Sequence, residues 1–338
     1  MSSNNFWTNK KVAVLGGAAL IGSHLVEALR AVRCKSLWIF DDLSSGKTEN
    51  IPSTANLFIK DLRDYGNSLS AVWDADVVFH LACAHGGRGY VDTHEVACYG
   101  NLELDATVFR ACANKRVGKV VFASSACVYT MHLQREWADA TLSEEMFSKT
   151  QINADGAYGF AKAAAELSLE AYVRAGAFKG VACRQFTVYG PRMAGNHAIG
   201  ALIAKTFIKQ EPFEIWGNGD QKRNWTYVTD TVRGLILAAE NMDSGAVNIG
   251  TEEVWTPNMA AELIWDIMGW RPKQVMYLEH KPTGPVNRIA DASKAREQLG
   301  WQPQVSFRDG LERTIDWYVK THDVAEVRAN LEKSLTER

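Results

Sequence analysis

A short apolar segment that leads directly into a glycine-rich turn places the strongest constraint on this fold. Residues 11–15 are apolar, and the turn that follows begins at Gly16 and ends at Gly22. Residues 21–30 then show helical periodicity, and a second apolar segment covers residues 36–40. Glycines permit the tight turn and let the helix pack closely on the preceding strand. The order strand, turn, helix, strand predicts a βαβ unit.

An acidic residue at the end of the second strand indicates which ligand this unit binds. Asp41 follows residues 36–40, where its carboxylate can accept hydrogen bonds from the ribose hydroxyls of an adenosine. The same carboxylate would repel a 2′-phosphate, which favours NAD over NADP. The N-terminus of the helix after the glycine turn would face the pyrophosphate. The sequence therefore predicts NAD as the cofactor.

The rest of the N-terminal half continues this alternation of short apolar segments and longer amphipathic ones. Apolar segments cover residues 76–81 and 119–124, and a long helix is predicted between them at residues 98–114. The apolar segments are short and rich in Val, Ile and Phe, which favours strands over buried helices. We therefore expect an α/β fold with a Rossmann-type doubly wound parallel sheet and a smaller interleaved α/β lobe.

The predicted boundary between the lobes follows residue 189. Residues 1–189 are expected to form the Rossmann lobe, with a later strand returning to it near residues 225–250. Prolines and glycines break the pattern beyond this point, although residues 180–186 and 246–249 still look like sheet strands. We expect residues 190–330 to form an irregular second lobe that is interleaved with the first.

Composition and charge argue against several other classes of protein. The 338 residues are 46% hydrophobic, and a formal net charge of −2 gives no general attraction for nucleic acid or an anionic membrane. No apolar segment approaches the ~20 residues of a membrane helix, and residues 1–10 lack the apolar core of a signal peptide. The six cysteines form no CxxC pair and no zinc-like spacing with histidine. We therefore expect a cytoplasmic protein with reduced thiols and no metal.

Tyr158 and Lys162 form a YxxxK pair on a predicted helix and are the first candidates for catalysis. Their spacing places both side chains on one helix face, about one turn apart. A lysine ammonium lowers the pKa of a neighbouring phenol, so that a tyrosinate can accept a proton from a sugar hydroxyl. Ser125 directly follows a predicted strand upstream and can hydrogen-bond the same sugar oxygen.

Further segments resemble one family along nearly the whole chain, from Lys11 to about Tyr318. They are Phe79-His80-Leu81-Ala82, Tyr158-Gly159-Phe160-Ala161-Lys162, Val188-Tyr189-Gly190-Pro191-Arg192, Gly217-Asn218-Gly219-Asp220-Gln221-Lys222-Arg223, Tyr227-Val228-Thr229-Asp230, Asn248-Ile249-Gly250 and Leu299-Gly300-Trp301-Gln302-Pro303. The chain resembles the extended short-chain dehydrogenase/reductases that act on nucleotide-diphosphate sugars. The resemblance implies an NAD-bearing Rossmann lobe and a smaller lobe for the nucleotide sugar. It also implies a homodimer that pairs through the helices around residues 101–114 and 158–174.

The resemblance also implies roles for individual residues. It makes Ser125, Tyr158 and Lys162 the catalytic triad. Cofactor contacts are implied for Gly16, Ala19, Leu20, Ile21, Gly22, Asp41, Asp42, Asp61, Leu62, Leu81, Ala82, Tyr158 and Lys162. Substrate contacts are implied for Gly87, Arg88, Ser125, Thr187, Arg223 and Arg288, with Arg223 and Arg288 on the diphosphate. The chain departs from the usual family residue at Ala19 (glycine), Thr187 (asparagine) and Asn224 (aspartate).

Residues 126 and 127 bear on which reaction is catalysed. The resembling 4,6-dehydratases carry an Asp-Glu pair there and the decarboxylases a glutamate at the second position, whereas this chain has Ala126 and Cys127. A cysteine at this position resembles the GDP-mannose 3,5-epimerases, a branch that oxidises C4 and then inverts C3 and C5 with a cysteine and a second acid/base. The lysine that supplies the second group in that branch is missing here, and His197 is the candidate replacement.

Other interpretations stay open at this point. Cys127 can be a small buried filler in an epimerase that inverts C4 alone, and His197 can be an ordinary loop histidine. A reductase of 4-keto sugars that releases its cofactor is a further alternative, whereas an intact YxxxK pair argues against a non-catalytic NAD sensor. His85 is a candidate to line the sugar pocket. Residues 323–338 are charged and helical in pattern, which is compatible with an interface or a solvated helix.

Overall fold

The computed structural model describes residues 6–135 and 141–337. The strands are β1 Lys11–Leu15, β2 Ser36–Asp41, β3 Asn56–Ile59, β4 Val77–His80, β5 Lys119–Ser125, β6 Thr141–Leu142, β7 Lys179–Gln185, β8 Val188–Tyr189, β9 Phe213–Trp216, β10 Lys222–Arg223, β11 Thr226–Tyr227, β12 Ala246–Ile249, β13 Val275–Leu278 and β14 Asn287–Ala290. The helices are α1 Leu20–Ala31, α2 Tyr65–Ala71, α3 Arg88–Val91, α4 Glu95–Asn114, α5 Met131–Arg135, α6 Gly156–Arg174, α7 Ala198–Phe207, α8 Val228–Asn241, α9 Pro257–Met268, α10 Ser293–Leu299, α11 Phe307–Thr321 and α12 Val324–Thr336.

Seven parallel strands form the central sheet in the order β12-β7-β5-β4-β1-β2-β3. Val12 of β1 pairs with Leu37 of β2 on one side and with Val77 of β4 on the other. The strand order therefore reverses between β1 and β4, and ligands of open parallel sheets bind beyond the carboxyl ends of the strands at such a point. This sheet confirms the predicted Rossmann-type doubly wound fold.

Buried side chains cover both faces of the central sheet. In β1, Val12 and Val14 belong to one hydrophobic cluster, whereas Ala13 and Leu15 belong to another. The division follows from strand geometry, because successive side chains point to opposite faces. The first cluster continues through the C-terminal part of the chain, where it includes Phe213. A single hydrophobic core therefore joins the central sheet to elements from the C-terminal part of the chain.

The second lobe is more regular than the sequence predicts. The expected irregular region, residues 190–330, contains helices α7, α8, α9 and α11, which have 10, 14, 12 and 15 residues. The expectation was wrong because the prolines and glycines on which it relied, such as Pro212 and Pro257, lie between these helices or at their ends. Pro257 opens α9 behind Thr256, whose side chain accepts a hydrogen bond from the Met259 amide, and Gly269 ends that helix in the left-handed conformation.

The two halves of the chain are interleaved, as the sequence predicts. β12 returns to the edge of the central sheet, where Val247 pairs with Cys183 of β7. Three small parallel sheets have the orders β10-β14-β6, β11-β8 and β13-β9. The register of the first sheet places Arg223 of β10 directly beside Arg288 of β14. The lobe boundary after residue 189 stays a prediction.

The described residues contain neither a membrane-spanning helix nor a cluster of metal-binding side chains. None of the helices found there combines the length and the apolar composition needed to cross a membrane. In the same residues, no group of three or more His, Cys, Asp or Glu side chains is arranged to hold a metal ion.

Candidate active site

One cavity of about 580 Å³ collects nearly all the residues that the sequence singles out. It extends from the glycine turn after β1 to the loops of the second lobe. The predicted site residues that line it are Gly16, Ala19, Leu20, Ile21, Gly22, Asp41, Asp42, Asp61, Leu62, Leu81, Ala82, Gly87, Arg88, Ser125, Cys127, Tyr158, Thr187, His197, Arg223 and Arg288. Lys162 is the exception, because its side chain is fully buried behind the cavity wall.

The glycine turn brings the backbone of β1 and α1 close to the cavity. Gly16 has a φ of +82°, which favours glycine, and a Cβ atom at Gly22 would lie only 2.1 Å from the Gly16 carbonyl oxygen. Helix α1 begins at Leu20, and its N-cap residue Ala19 has no side chain that accepts hydrogen bonds from the first-turn amides. Those amides therefore suit an anionic group such as a pyrophosphate.

Two carboxylates mark the end of β2 at this side of the cavity. Asp41 is buried, and its two carboxylate oxygens accept hydrogen bonds from the amides of Ala18 and Leu43, each at 2.8 Å. Asp42 is exposed and accepts a hydrogen bond from the Ser44 amide at 2.9 Å. Asp41 thus ties the loop after β2 to the glycine turn. The negative charge at this position suits ribose hydroxyls and disfavours a 2′-phosphate.

Ser125, Tyr158 and Lys162 meet at the carboxyl end of β5. Ser125 ends that strand, and its hydroxyl is hydrogen-bonded to the Tyr158 phenol on α6. Lys162 lies one turn further along α6, with Nζ 5.9 Å from the centre of the Tyr158 ring. This Nζ is buried and has no hydrogen-bond partner within the described residues. A buried ammonium without a partner requires an acceptor, and the hydroxyls of a nicotinamide riboside meet that need, so the site fits NAD.

The Tyr158 phenol differs from the expectation drawn from the sequence. Burial raises its pKa well above the ordinary value, and the nearby thiols Cys83 and Cys127 add to the rise. The Ser125 hydrogen bond acts in the opposite direction but is outweighed. The predicted lowering by Lys162 therefore does not hold in the ligand-free chain, because desolvation dominates. Positive charge placed beside the phenol would act against this rise.

Cys127 lies beside the triad in the short 3-10 turn Ala126–Val128 that follows β5. Its amide donates a hydrogen bond to the Ser125 hydroxyl at 3.1 Å. Arg288 donates from Nη1 to the Cys127 sulfur, also at 3.1 Å, and from Nη2 to Asp155 at 2.6 Å. The thiol is thus held at the cavity wall by a charged donor, which is an unusual environment for a cysteine that only fills space.

Asp155 links two of the arginines predicted to contact substrate. It accepts hydrogen bonds from Arg88 at 2.9 Å and from Arg288 at 2.6 Å. Burial alone would raise the pKa of this carboxyl, but the two guanidinium groups hold it below its usual value. Asp155 was not predicted from the sequence, because nothing in its local pattern connects it with residues so distant along the chain.

Arg223 is the third arginine predicted to contact substrate, and its positive charge is less compensated than those of Arg88 and Arg288. Its guanidinium donates to the carbonyls of Lys222 and Thr283, and among the described residues no carboxylate forms an ion pair with it. Burial lowers the pKa of Arg223 to about 9, and the positive charge of neighbouring Arg288 contributes to that shift. A partly buried cation without a counterion carries a desolvation cost, so the site favours an anionic ligand such as a diphosphate.

Two histidines extend the site beyond the Tyr158 ring. The His85 ring is stacked on Tyr158 with 4.6 Å between centroids, and it lies 5.2 Å from the ring of His197. His197 is the residue before α7, and burial lowers its pKa to about 4. It is therefore neutral at physiological pH and a weaker base than an ordinary histidine. The sequence indicated His85 as a pocket residue but not its contact with Tyr158.

Comparison with known proteins identifies the family. The sequence model of the NAD dependent epimerase/dehydratase family matches residues 12–250. The chain belongs to the NAD-dependent epimerase/dehydratase family. It is 31% identical to the uncharacterized UDP-glucose epimerase YtcB of Bacillus subtilis over 90% of this chain and 96% of that protein. It is 28% identical to GDP-mannose 3,5-epimerase 1 of Oryza sativa subsp. indica over 94% of this chain and 84% of that protein.

A solved structure supports the same assignment. The UDP-glucose 4-epimerase of Thermotoga maritima superposes with a TM-score of 0.82 and 28% identity, covering 92% of this chain and 99% of that one. This member of the epimerase/dehydratase family is therefore an enzyme that uses NAD, as the glycine turn and Asp41 predict. The family match thus confirms the resemblance drawn from the sequence motifs.

Proposed function

We propose that this enzyme is an epimerase of nucleotide-diphosphate sugars that oxidises C4 transiently and inverts C3, C5 or both. One observation carries the finer part of this proposal: the Cys127 sulfur lines the same cavity as Ser125 and Tyr158 and is held there by Arg288 at 3.1 Å. A thiol beside a 4-keto sugar is placed to remove a proton from a neighbouring carbon. The relation to the rice GDP-mannose 3,5-epimerase agrees with this proposal.

Each side chain of the site has a proposed step. Held by the glycine turn and Asp41, NAD would supply a reversible hydride acceptor for C4. Tyr158 takes the proton of the C4 hydroxyl, while Ser125 hydrogen-bonds the same oxygen and Lys162 supplies positive charge. The resulting 4-ketone acidifies the C–H bonds at C3 and C5. Cys127, as the thiolate, then removes one of these protons, and a proton donated by solvent water to the opposite face completes the inversion.

A simple 4-epimerase is the second candidate, and one observation favours it. Burial lowers the pKa of His197 to about 4, which makes it a weak replacement for the second acid/base of a 3,5-epimerase. Inversion at C4 needs only Ser125, Tyr158 and Lys162, with Cys127 as a spectator. The structural likeness to the Thermotoga maritima UDP-glucose 4-epimerase agrees with this alternative.

Isotope exchange distinguishes the two candidates. The enzyme is incubated in heavy water with GDP-mannose, UDP-glucose, UDP-N-acetylglucosamine or UDP-glucuronate, and the products are analysed by mass spectrometry. We expect deuterium to enter the hexose of one substrate. Cys127→Ala should reduce that exchange by about 10²-fold or more, because it removes the proton acceptor.

Cys83→Ala is the matched control, since Cys83 is a second thiol at the same cavity. We expect this variant to keep the exchange, because the proposal assigns the proton transfer to the thiol that Arg288 holds, which is that of Cys127. A new isomer without deuterium would instead establish the simple 4-epimerase. Net reduction of the sugar with stoichiometric release of oxidised cofactor would establish a reductase of 4-keto sugars.

The cysteines support a proposed location in the cytoplasm. None of the six, all of which lie within the described residues, forms a disulfide, and Cys98, Cys112 and Cys183 are buried. Buried thiols without disulfides are typical of proteins in reducing compartments.

The exposed sides of α4 and α6 support a proposed homodimer. Val96 and Tyr99 on α4 are 88% and 48% exposed, and Phe160 on α6 is 41% exposed. Tyr99 and Phe160 lie edge to face at 6.3 Å, so the two helices present one apolar surface. These are the helices through which the family resemblance implies pairing.

Charge reversal of this surface tests the dimer. Val96→Glu should weaken self-association by roughly tenfold or more, because the dimer would bury an unpaired carboxylate. Sedimentation velocity over a concentration series measures the change. Val319→Glu, at an apolar residue of α11 that is 47% exposed, is the control and should not alter the sedimentation. A wild-type chain that sediments as a monomer at every concentration would refute the dimer.

A further inference from the structure

The C-terminal helix α12 packs on the rim of the cavity. Its residues Leu331 and Leu335 are buried, and Leu335 also lines the cavity. Arg328 donates a hydrogen bond from Nη2 to the Ile208 carbonyl at the end of α7, 2.8 Å away. The sequence leaves open whether residues 323–338 are solvated or form an interface. The described part of this segment packs against its own chain and closes one side of the site.

Helix α12 and the residue after it contact two segments that wall the substrate end of the cavity. We call these segments loops, although the first, residues 84–92, includes the short helix α3; the second covers residues 191–198. A Cβ atom at Gly89 would lie 2.6 Å from the Leu335 carbonyl oxygen, so these two backbones are in direct contact. In the other loop, Asn196 Nδ2 donates to the carbonyl oxygen of Glu337 at 2.8 Å. The loops also meet each other, because a Cβ atom at Gly87 would lie 1.6 Å from the Asn196 carbonyl oxygen. The three segments form one interlocked unit.

The two loops carry side chains that face the substrate. Arg88 adjoins Gly87 and Gly89, and His197 follows Asn196; both line the cavity. Arg88 donates a hydrogen bond to Asp155 at 2.9 Å, and Asp155 also accepts one from Arg288, which lies beside Cys127. A displacement of either loop would therefore move the predicted substrate contacts relative to the triad.

We propose that α12 is a positioning element for the active site. Leu335 and the hydrogen bond between Asn196 and Glu337 hold the two loops together. The loops in turn hold Arg88 and His197 against the nucleotide sugar. None of the positioning contacts of α12 involves the glycine turn, so the helix acts on substrate and not on NAD. This inference rests on the proposed nucleotide-sugar function for its kinetic consequences, but its structural part does not.

Hydrogen–deuterium exchange tests the structural part without any ligand. The full chain is compared with a chain that ends at His322. We expect exchange in peptides covering residues 84–92 and 191–198 to accelerate by about tenfold or more, because their contacts with α12 are lost. Exchange in the glycine turn, residues 16–22, should stay the same. Unchanged exchange in both loops would overturn the proposal, and faster exchange everywhere would assign α12 a general stabilising role instead.

Kinetics with single substitutions tests the functional part. Leu335→Ala should raise KM for the nucleotide sugar and lower kcat, giving a combined loss in kcat/KM of about 10²-fold, because small displacements of substrate contacts are costly. Leu335→Met, which keeps a long apolar side chain, should retain most of the wild-type kcat/KM. Neither variant should change the affinity for NAD. Lys333→Ala, on the exposed side of α12, is the matched control. A lower melting temperature with unchanged kcat and KM would overturn the positioning role.

Failure of this inference can be separated from failure of the proposed function. Binding of UDP-glucose and GDP-mannose to the full chain is measured by calorimetry. If neither binds and no other nucleotide sugar is converted, the proposed function fails, while the exchange experiment still decides the role of α12. If one binds the full chain and the chain ending at His322 equally well, only the positioning role fails.

Discussion

Replacing Tyr158 with phenylalanine should reduce turnover by about 10³-fold while leaving NAD binding within twofold of the wild-type value. The phenol oxygen is the group that meets Ser125 at the carboxyl end of β5, and it is the proposed acceptor of the C4 hydroxyl proton. Phenylalanine keeps the ring and its stacking with His85 but removes that oxygen. Initial rates measure the turnover, and calorimetry with NAD measures the binding.

The pH dependence of the same reaction provides a second check on Tyr158. Burial raises the pKa of this phenol in the ligand-free chain, so proton loss becomes harder, and the base form is present only at pH values above the raised pKa. In the active enzyme, the positive charges of the bound cofactor and of Lys162 are expected to lower the pKa of Tyr158. In the ligand-bound enzyme, kcat should therefore rise with pH until the phenol is ionised, and this limb should vanish in Tyr158→Phe.

Tyr172→Phe is the matched control, because Tyr172 lies on the same helix α6 and packs on Phe109 and Phe178 away from the cavity. We expect normal turnover from it. A Tyr158→Phe enzyme that keeps more than about a tenth of the wild-type rate would show that another group moves the proton, since a lost general base costs at least about 10²-fold.

The sequence predicts the N-terminal half of the fold because its signals are local. The glycine turn, the strand that ends at Asp41 and the segment Tyr158 to Lys162 each lie within a few residues of the features that define them. The predicted strand at residues 246–249 has the bounds that β12 has in the structure. In contrast, β3 (Asn56–Ile59) was not predicted, because this edge strand is largely exposed and lacks the apolar pattern of a buried one.

The arrangement of the site depends on contacts that the sequence does not encode locally. Arg223 and Arg288 become neighbours only through the pairing of β10 with β14. Asp155 joins Arg88 to Arg288 across the cavity, and α12 reaches loops that lie far upstream. Motif comparison therefore supplied the identities of candidate residues, but their partners required the tertiary structure. The pKa shifts of Tyr158 and His197 likewise come from burial, which no motif reports.

Replacing Arg223 with glutamine should weaken nucleotide diphosphate binding by about 2 kcal/mol, or roughly thirtyfold, because a charge-assisted hydrogen bond is lost. Arg223 is better suited to this test than Arg288, since Arg288 also holds Cys127 and Asp155. Within the described residues, its own guanidinium donates hydrogen bonds to two backbone carbonyls, those of Lys222 and Thr283. Calorimetry with UDP and GDP measures the loss for whichever nucleotide binds, and the corresponding nucleoside should show little difference between variant and wild type.

The stability of the Arg223→Gln variant should move in the opposite direction to its affinity. Burial lowers the pKa of Arg223 to about 9, so keeping the group charged costs folding free energy below the unfolded-state pKa, including at pH 7. Removing the charge should leave the melting temperature equal or higher. Arg296→Gln, which removes an exposed guanidinium paired with Glu252, is the control and should not change nucleotide affinity. Weaker binding together with a lower melting temperature would indicate that Arg223 supports the fold and does not hold the diphosphate.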